Sequence, residues 1–309
     1  MITLKGKNIR MPKPCVLAVG KFECIHLGHK ALISEMERLA HGNMSNSSLA
    51  SALVMFEPHP YRVLSDPEYK PLFTGCEREY VARKLGIDYL LKYPFDQDFA
   101  VLSPEDFCRM LFENLQARVV VVGEGYRFGY KRAGTVETLR QIAGVYNAQV
   151  HVVTHHRAPQ EVAASAYNGS SKTSTSSIRA LLSANRLPEA EDLLGYPFFI
   201  MGEVVPGRQI GRSIGFPTIN LHPQEDKFLP SDGVYATRAI ITNTEGERGK
   251  MKQSYYGITN VGLRPTVEIN NAPRIVETHL LDYENGELYG RQVRVEFLRF
   301  IRPERKFEH

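Results

Sequence analysis

The pattern of hydrophobic residues changes once along this chain, near Leu187, and the change limits the folds that the chain can adopt. Before it, short aliphatic runs alternate with helix-like repeats; after Pro197, strand-like runs follow one another with glycine-, proline- and asparagine-rich turns between them. Alternating strands and helices favour a doubly wound parallel sheet, whereas successive short strands favour an antiparallel barrel or sandwich. We therefore predict an α/β domain over residues 1–186 and an all-β domain over residues 187–309.

Single elements follow from short runs of residues. Buried parallel strands need β-branched and aliphatic side chains on both faces. In the first half, such runs occupy residues 16–19, 53–56, 118–122 and 150–153. In the second half, the strand-like runs occupy residues 198–205, 234–241, 275–281 and 293–300. Helices are predicted after Gly28, after the Ser103-Pro104 cap, and over residues 178–182 and 188–194.

Composition excludes several classes of protein. The chain has 309 residues, 43% of them hydrophobic and 23% charged, which suits two globular domains and not disorder throughout. The 38 Lys and Arg residues exceed the 34 Asp and Glu residues by four, an excess too small to indicate nucleic acid or a membrane surface as partner. No apolar run is long enough to span a bilayer, and the N-terminus lacks the pattern of a secretion signal. Because the four cysteines form no CxxC pair, we expect no zinc site or disulfide framework, and a cytoplasmic protein.

The most specific motif of the first half is GKFECIHLGH, residues 20–29, between a predicted strand and a predicted helix. Ligands of α/β sheets collect at the carboxyl ends of strands, and a helix N-terminus offers unpaired N–H groups to phosphate. His26 and His29 flank Gly28, so both imidazoles can donate hydrogen bonds to phosphate oxygens. A metal site or two surface histidines would explain the pair alone, but the strand–loop–helix setting favours phosphate.

Three further segments lie at the ends of predicted elements. Residues 56–60, FEPHP, have a rigid backbone that suits either a flat aromatic ligand or a plain turn. Residues 123–130 combine glycines, aromatic residues and an arginine, which suits a ligand contact and a loop tip equally. Residues 174–179 place hydroxyls at a helix start beside a guanidinium, which can clamp an anion. The serine-rich stretch over residues 169–177, which overlaps this segment, is by itself typical of a mobile loop.

These motifs together make the first half similar to the nucleotidylyltransferase superfamily. HxGH follows the first long strand, and a hydroxyl–Ile–Arg helix follows later. The FxPHP segment narrows the resemblance to the FMN adenylyltransferase module of the bacterial bifunctional riboflavin kinase/FAD synthetase family. The resemblance implies a Rossmann-like domain that binds ATP through Gly20, Phe22, His26, Gly28, His29, Ser176 and Arg179. It implies that His26, His29 and Arg179 are catalytic, and that the flavin contacts Pro58, His59, Pro60 and Phe128.

The chain departs from the usual family pattern at two places in this half. Phe22-Glu23-Cys24 stands where the family usually has Phe-Asp-Gly, and Gly125 stands where it usually has an aspartate or asparagine. A side chain at Cys24 is strained if the backbone there is left-handed or lies against the ligand. The changes leave an alternative open, in which the first domain is a catalytically weak flavin- or nucleotide-binding module that regulates an active kinase.

The second half contains a glycine- and arginine-rich segment that ends in Pro-Thr-x-Asn. Glycines let backbone N–H groups approach a polyphosphate; glycines alone are more typical of a hairpin, but the added Pro-Thr-x-Asn favours a phosphate site. Thr218 and Asn220 are two residues apart, so in an extended segment both point to one side and their oxygens can ligate Mg²⁺. In the predicted strand over residues 275–281, Glu277 and His279 share one face. A strand glutamate is usually a solvated residue, and nothing in its spacing alone makes it catalytic.

The segment from Leu194 to Phe307 resembles the riboflavin kinase module of the same family. The matching motifs occur in order: GEVVPG at 202–207, GRSIGFPTIN at 211–220, NVGLRPT at 260–266, ETH at 277–279 and IRPE at 301–304. The resemblance implies a six-stranded antiparallel barrel with Mg²⁺ at Thr218 and Asn220. It implies ATP contacts at Gly207, Gly211, Gly215, Thr218 and Asn220, and flavin contacts at Arg264 and Glu277. It makes Glu277 the base, because the ribityl hydroxyl of riboflavin is a weak nucleophile that must lose its proton.

The prediction is therefore a bifunctional, ATP- and Mg²⁺-dependent enzyme of flavin cofactor synthesis. It converts riboflavin to FMN in the barrel and FMN to FAD, with release of pyrophosphate, in the α/β domain. Its partners are flavins and ATP, and we expect a monomer or a weak homo-oligomer. Two further alternatives are a nucleotidylyltransferase with a non-flavin substrate, which the kinase motifs disfavour, and an RNA-binding barrel, which the near-balanced charge disfavours.

Overall fold

The computed structural model describes residues 1–42, 49–154, 173–206, 218–241, 253–263, 274–284 and 286–304. The chain forms two compact units, Met1–Ala158 and Pro159–His309. Two helices over residues 175–194 belong to the second unit, whereas the sequence analysis divides them between the two domains. The predicted boundary between residues 186 and 187 concerns the functional domains and stays a prediction.

The first unit is built on a parallel sheet of six strands in the order β1-β4-β3-β2-β5-β6. The strands are β1 (Ile2–Lys5), β2 (Cys15–Val19), β3 (Ala50–Glu57), β4 (Tyr89–Pro94), β5 (Ala117–Gly123) and β6 (Gln149–Val153). All residues of β2 are buried, as a strand covered on both faces requires. The strand order reverses next to β2, which is where open α/β sheets bind their ligands. The predicted doubly wound sheet is confirmed, and the loop after β2 lies at this reversal.

Helices pack on the sheet through apolar faces. They are α1 (Leu27–His41), α2 (Pro60–Leu64), α3 (Gly75–Arg83), α4 (Gln97–Ala100), α5 (Pro104–Arg109), which continues as a π-helical turn (Met110–Asn114), and α6 (Val136–Val145), preceded by a 3₁₀ turn (Tyr130–Arg132). The longest, α1, buries Leu32, Ile33, Met36 and Ala40, a spacing that forms one stripe. Helix α5 begins as predicted, because the Ser103 hydroxyl caps it by accepting from the Asp106 backbone N–H at 3.0 Å.

Two strands of the sheet, β1 and β4, were not expected from the sequence. The run of β4 contains Lys92, whose side chain is buried and whose Nζ lies 2.7 Å from a carboxylate oxygen of Glu57. A charged residue interrupts the apolar pattern even though its charge is compensated in the fold. Strand β1 is four residues long, lies at the sheet edge and is only half-buried, so it carries little apolar signal.

The second unit is a closed barrel with the strand order β10-β11-β8-β7-β12-β9. Its strands are β7 (Phe199–Val205), β8 (Thr218–Leu221), β9 (Gly233–Ile241), β10 (Ser254–Leu263), β11 (Arg274–Leu280) and β12 (Gln292–Arg302), preceded by helices α7 (Thr175–Ser183) and α8 (Leu187–Leu194). Every pairing is antiparallel, so the predicted barrel is confirmed. Strand β10 was missed because its glycines suggest turns. A Cβ at Gly257 would lie 2.7 Å from the His279 carbonyl oxygen, so the close approach of β11 excludes a side chain.

The barrel interior contains a chain of buried hydroxyls. Thr259 Oγ1 lies 2.8 Å from Thr237 Oγ1 and 2.8 Å from Thr278 Oγ1, and Thr237 donates to the Gly257 carbonyl at 3.1 Å. The hydroxyls satisfy one another, as buried polar groups must. They fix the side chain of Thr278 inside the barrel, so its neighbour Glu277 lies on the opposite face of β11.

Helix α7 packs against the barrel within the second unit. The Arg179 guanidinium lies over the Phe228 ring, 4.9 Å from its centroid, and the Ser231 hydroxyl donates to the Ser183 carbonyl at 3.0 Å. These contacts explain why the helix belongs to this unit. In the part of the chain that the structure describes, no helix is long and apolar enough to cross a membrane.

Candidate active sites

The histidine pair of residues 20–29 lies at the start of α1, after β2. His26 is the N-cap residue, and its Nδ1 accepts a hydrogen bond from the backbone N–H of His29 at 3.2 Å. The two rings stack with their centroids 3.8 Å apart. His29 Nδ1 lies 2.7 Å from the Cys24 carbonyl oxygen. The structure thus brings the predicted phosphate-binding histidines together at a helix N-terminus, with Gly28 as the second residue of that helix.

These contacts fix the tautomers of both rings. A carbonyl oxygen can only accept, so His29 Nδ1 carries a hydrogen. His26 Nδ1 accepts a backbone N–H, so the hydrogen of the neutral His26 ring is on Nε2. The neutral pair therefore presents a donor at His26 Nε2 and a lone pair at His29 Nε2. His29 becomes a second donor toward an anion only when it is protonated.

His29 is neutral at pH 7 in the unliganded protein. Burial lowers its pKa from 6.5 to about 4, although the Cys24 carbonyl and the charge of Glu23 oppose that shift. Because the folded pKa lies below the unfolded one, the contribution of His29 to stability is complete above pH 6.5 and is lost as pH falls toward about 4.

We expect the imidazole resonances of His29 in NMR spectra to titrate with a midpoint near pH 4. A His29→Asn variant assigns the resonance, because an asparagine Nδ2 can still donate to the Cys24 carbonyl while the titrating ring is gone. A midpoint at the ordinary histidine value of about 6.5 would contradict the burial argument.

The strained backbone of this loop lies at Phe22 and not at Cys24. Phe22 has a φ of 42° and is fully buried, whereas Cys24 is buried without a left-handed φ. The Phe22 ring packs on His29, with centroids 4.8 Å apart. It also lies 3.0 Å from the position of a Cβ on Gly20, so Gly20 leaves room for the ring. Cys24 therefore has no strain from a left-handed backbone.

The Pro-His-Pro loop lies directly beside the histidine loop. It follows a cis Glu57–Pro58 peptide bond, and Pro60 is the first residue of α2. His59 is almost fully buried, and its Nε2 lies 3.6 Å from a carboxylate oxygen of Glu23. Glu23 of the histidine loop (residues 20–29, the predicted phosphate-side loop) thus contacts the Pro-His-Pro loop (residues 56–60, the predicted flavin-side loop).

The other predicted residues of the first half lie elsewhere. Phe128 is buried in the core between Phe107 and Tyr126, at centroid distances of 5.3 and 5.6 Å. Ser176 and Arg179 lie on α7, where Ser174 rather than Ser176 is the N-cap residue. Because α7 belongs to the second unit, the predicted pairing of these residues with the histidines stays a prediction.

In the barrel, a carboxylate, a hydroxyl and an amide lie together on the outward face of neighbouring strands. Thr218 Oγ1 donates to Glu277 Oε1 at 2.6 Å. Glu277 lies opposite Asn220 of β8 in the strand register. Glu277 and its face of β11 are half-buried, whereas Val276 and Thr278 are buried in the interior. The residues predicted for the kinase site are thus adjacent.

One pair beside this site had no assigned role. Asn260 lies opposite Glu277 on the other side, in β10, and its Nδ2 donates to Glu304 Oε1 at 3.1 Å. A Cβ at Gly262 would lie 2.7 Å from the Glu304 carboxylate oxygens, so Gly262 makes room for this contact. The motifs that contain these residues were recognised, but only the register reveals that Asn260 is next to Glu277.

The remaining predicted residues cannot be placed. Gly207, Gly211, Gly215 and Arg264 lie outside the described residues. Among the residues that are described, no group of three or more His, Cys, Asp or Glu side chains could hold a metal ion. The oxygens of Thr218 and Asn220 still fit Mg²⁺ that arrives with nucleotide, because Mg²⁺ takes only one or two protein ligands when phosphates and waters supply the rest.

Comparison with known proteins agrees with both halves. The family described as FAD synthetase matches residues 8–167, and the family described as riboflavin kinase matches residues 194–309. The bifunctional riboflavin kinase/FMN adenylyltransferase of Listeria monocytogenes is 32% identical over 94% of this chain and 85% of its own length. The enzyme of the same name from Escherichia coli K12 is 32% identical over 95% of this chain and 86% of its own.

A solved structure matches the whole chain. It is described as a macrolide-efflux protein from Streptococcus pneumoniae, and it is 28% identical with a TM-score of 0.82 over 100% of this chain and 94% of its own. That description is of the other protein alone. The family matches in sequence order and the full-length relatives confirm the resemblance found in the motifs: the chain belongs to the family of bifunctional riboflavin kinase/FMN adenylyltransferases.

Proposed function

We propose that the barrel phosphorylates riboflavin to FMN and that the α/β domain adenylylates FMN to FAD, each with ATP as co-substrate. The observation that carries the first assignment is the 2.6 Å contact between Thr218 and Glu277, beside Asn220. The stacked histidines at the N-terminus of α1 carry the second. Family membership supports both.

Glu277 is the general base of the kinase in this proposal. A carboxylate has lone pairs for several donors, so it can accept from Thr218 and from the ribityl hydroxyl of riboflavin together. As that hydroxyl oxygen attacks the γ-phosphorus, its proton passes to Glu277 and the bond to ADP breaks. Thr218, whose hydroxyl hydrogen is committed to Glu277, keeps its oxygen lone pairs available for a cation.

Thr218 and Asn220 would hold Mg²⁺ in this site. When bound, Mg²⁺ neutralises charge on the phosphates of ATP. ATP phosphates would also contact Gly207, Gly211 and Gly215, whose backbone N–H groups suit polyphosphate. Arg264 would contact the flavin beside Glu277.

The adenylyl transfer needs no strong base, because the phosphate of FMN is already an anion. One of its oxygens attacks the α-phosphorus of ATP, and pyrophosphate leaves. His26 Nε2–H, the N-terminus of α1 and the guanidinium of Arg179 would stabilise the charge that develops. Gly20, Phe22, Gly28 and Ser176 would complete the ATP site, and an ATP phosphate next to His29 would raise its pKa.

The flavin of FMN would lie against the Pro-His-Pro loop. Pro58 is exposed at the end of β3, and His59 and Pro60 are buried behind it. Phe128, whose ring is buried in the core, would give a further contact to the flavin. These positions support a flavin site at the Pro-His-Pro loop, beside the histidine loop.

The cellular setting is also a proposal. We place the protein in the cytoplasm, because all four cysteines are free thiols and ATP is its co-substrate. We propose that it acts on small flavins as a monomer or weak homo-oligomer, without nucleic acid, and that its functional domains meet at residues 186 and 187.

The experiment that tests this function follows the products from riboflavin. With ATP and Mg²⁺, we expect FMN to appear first and FAD with pyrophosphate to follow; with FMN as the starting flavin, FAD should form directly. Chelation of Mg²⁺ with EDTA should abolish both reactions, and added Mg²⁺ should restore them. Formation of FMN without FAD from either flavin would favour the regulatory alternative for the first domain.

A further inference from the structure

We propose that Glu23 is a positioning residue for FMN adenylyl transfer. It holds the Pro-His-Pro loop, where the flavin is proposed to bind, next to the histidine loop, where the phosphates are proposed to bind. The inference rests on the proposed function of the first unit and deepens it. Glu23 lies between the end of β2 and the histidines, and it is only 4% exposed. A buried carboxylate is unfavourable unless its oxygens receive hydrogen bonds. The groups that donate to Glu23 therefore show which segments of the chain it holds in place.

The carboxylate of Glu23 binds a segment almost fifty residues away in the chain. Its Oε1 accepts the backbone N–H of Leu72 at 2.9 Å, and its Oε2 accepts the hydroxyl hydrogen of Tyr69 at 2.7 Å. Both bonds go to a charged acceptor and are therefore stronger than bonds between neutral groups. They attach the segment before α3 to the histidine loop.

Glu23 Oε2, which accepts the Tyr69 hydroxyl hydrogen, also faces His59 of the Pro-His-Pro loop. His59 Nδ1 accepts the backbone N–H of Tyr61 at 3.3 Å, so the hydrogen of the neutral ring is on Nε2. That Nε2 lies 3.6 Å from Glu23 Oε2. Tyr69 stacks on the His59 ring, with centroids 5.2 Å apart. Glu23, Tyr69 and His59 therefore form one contact group behind the flavin-side loop.

The contact group also reaches the histidine pair. Cys24, the residue after Glu23, offers its carbonyl oxygen to His29 Nδ1 at 2.7 Å. The His29 ring is therefore oriented by the Cys24 backbone and not by the Glu23 side chain. The Glu23 carboxylate holds the Pro-His-Pro loop beside the histidine loop, so loss of its charge is expected to affect the predicted flavin contacts more than the predicted phosphate contacts.

These contacts give a role to Glu23, which stands where the family usually has an aspartate. Aspartate, the usual residue, is one methylene shorter than glutamate. The longer side chain is matched here by Leu72 and Tyr69, which it reaches at normal hydrogen-bond distances. The replacement is accommodated by partners and does not leave a gap in the site.

The test uses the full-length protein with two conservative variants. Glu23→Gln keeps the side chain's shape and an oxygen for Leu72 but removes the charge, and Tyr69→Phe keeps the ring but removes the hydroxyl. The matched control is Glu113→Gln, because Glu113 accepts the Tyr146 hydroxyl at 2.9 Å on an exposed surface away from these loops. Steady-state FAD formation is measured against FMN and ATP separately, and circular dichroism checks the fold.

We expect Glu23→Gln to raise the KM for FMN about tenfold, while the KM for ATP changes less than about threefold. Tyr69→Phe should give a similar but smaller rise, and the double variant should be no worse than Glu23→Gln, because both remove the same linkage. Glu113→Gln should match the wild type. A merely structural role would lower the amount of active enzyme and leave both KM values unchanged.

Some outcomes would overturn the inference. An unchanged KM for FMN in Glu23→Gln, or additive effects in the double variant, would remove the positioning role while the proposed function stands. Absence of FAD formation in the wild-type protein would instead overturn the proposed function, and the inference with it. Equal increases of both KM values would show a general loosening and would also contradict the proposal.

Discussion

Replacement of Glu277 by glutamine is expected to lower the kcat of riboflavin phosphorylation at least about 100-fold, the range typical of a lost general base. Glutamine has the same shape as glutamate, and its amide oxygen can still accept the hydrogen bond from Thr218 Oγ1 that Glu277 Oε1 receives at 2.6 Å. It cannot take the proton of the ribityl hydroxyl. Riboflavin and ATP should therefore bind with nearly unchanged affinity while turnover is lost.

The measurement separates the chemical step from binding. Chromatographic assay of FMN gives kcat, and calorimetric titration gives the affinities for riboflavin and ATP. Glu203→Gln is the matched control, because Glu203 is an exposed glutamate of β7 in the same barrel. FAD formation from added FMN should stay at the wild-type rate in Glu277→Gln. Unchanged FMN production would remove Glu277 from the mechanism.

The sequence predicted the strands whose two faces are both apolar. Strands β2, β3 and β5 lie inside the sheet and consist mainly of aliphatic residues, so their runs were visible. Two of the missed strands carry a residue whose role is tertiary: Lys92 in β4 is compensated by Glu57, and Gly257 in β10 makes room for β11. β-Strand propensity is a property of a residue type alone, whereas the presence of Lys92 and Gly257 in strands is explained only by the residues around them.

The predicted site residues of the first half that lie in loops after neighbouring strands are adjacent in the structure. The histidines and the Pro-His-Pro loop follow neighbouring parallel strands, whose carboxyl ends share one edge of the sheet, so their adjacency could be expected. The contacts of Glu23 could not, because Tyr69 and Leu72 lie in a connection without a periodic pattern. The same limit applies to Asn260, which is adjacent to Glu277 only through the register of the barrel.

The backbone at Cys24 is not left-handed, and the reason is local. The chain accommodates its left-handed residue two positions earlier, at Phe22, where burial of the ring against His29 offsets the backbone strain. A motif comparison aligns residue types and does not report which of them has the unusual φ. The replacement of the family's usual glycine at this position therefore does not by itself argue for an inactive domain.

The second large effect is expected at His26, in the other reaction. We expect His26→Asn to lower kcat/KM for FAD formation about 100-fold to 1,000-fold, the loss typical of removing one aligned donor from a site of developing charge. An asparagine is a good N-cap residue and its side-chain oxygen can replace His26 Nδ1 as acceptor for the His29 backbone N–H, which is now bound at 3.2 Å. The variant thus keeps the cap of α1 and loses the imidazole ring, with its Nε2–H and its stacking on His29.

Comparison with His26→Ala separates the two roles of this residue. Alanine removes the cap as well as the donor and should destabilise the protein by about 1 kcal/mol, measurable by urea unfolding, whereas His26→Asn should unfold like the wild type. FAD formation, followed with FMN as the starting flavin, should fall in both variants. FMN formation should be unchanged in both, because the proposed base and nucleotide site of the kinase lie in the barrel. Both variants lose the Nε2–H donor, but only His26→Ala loses the N-cap of α1. A wild-type rate of FAD formation in His26→Asn would therefore show that His26 only caps α1 and that other residues bind the phosphates.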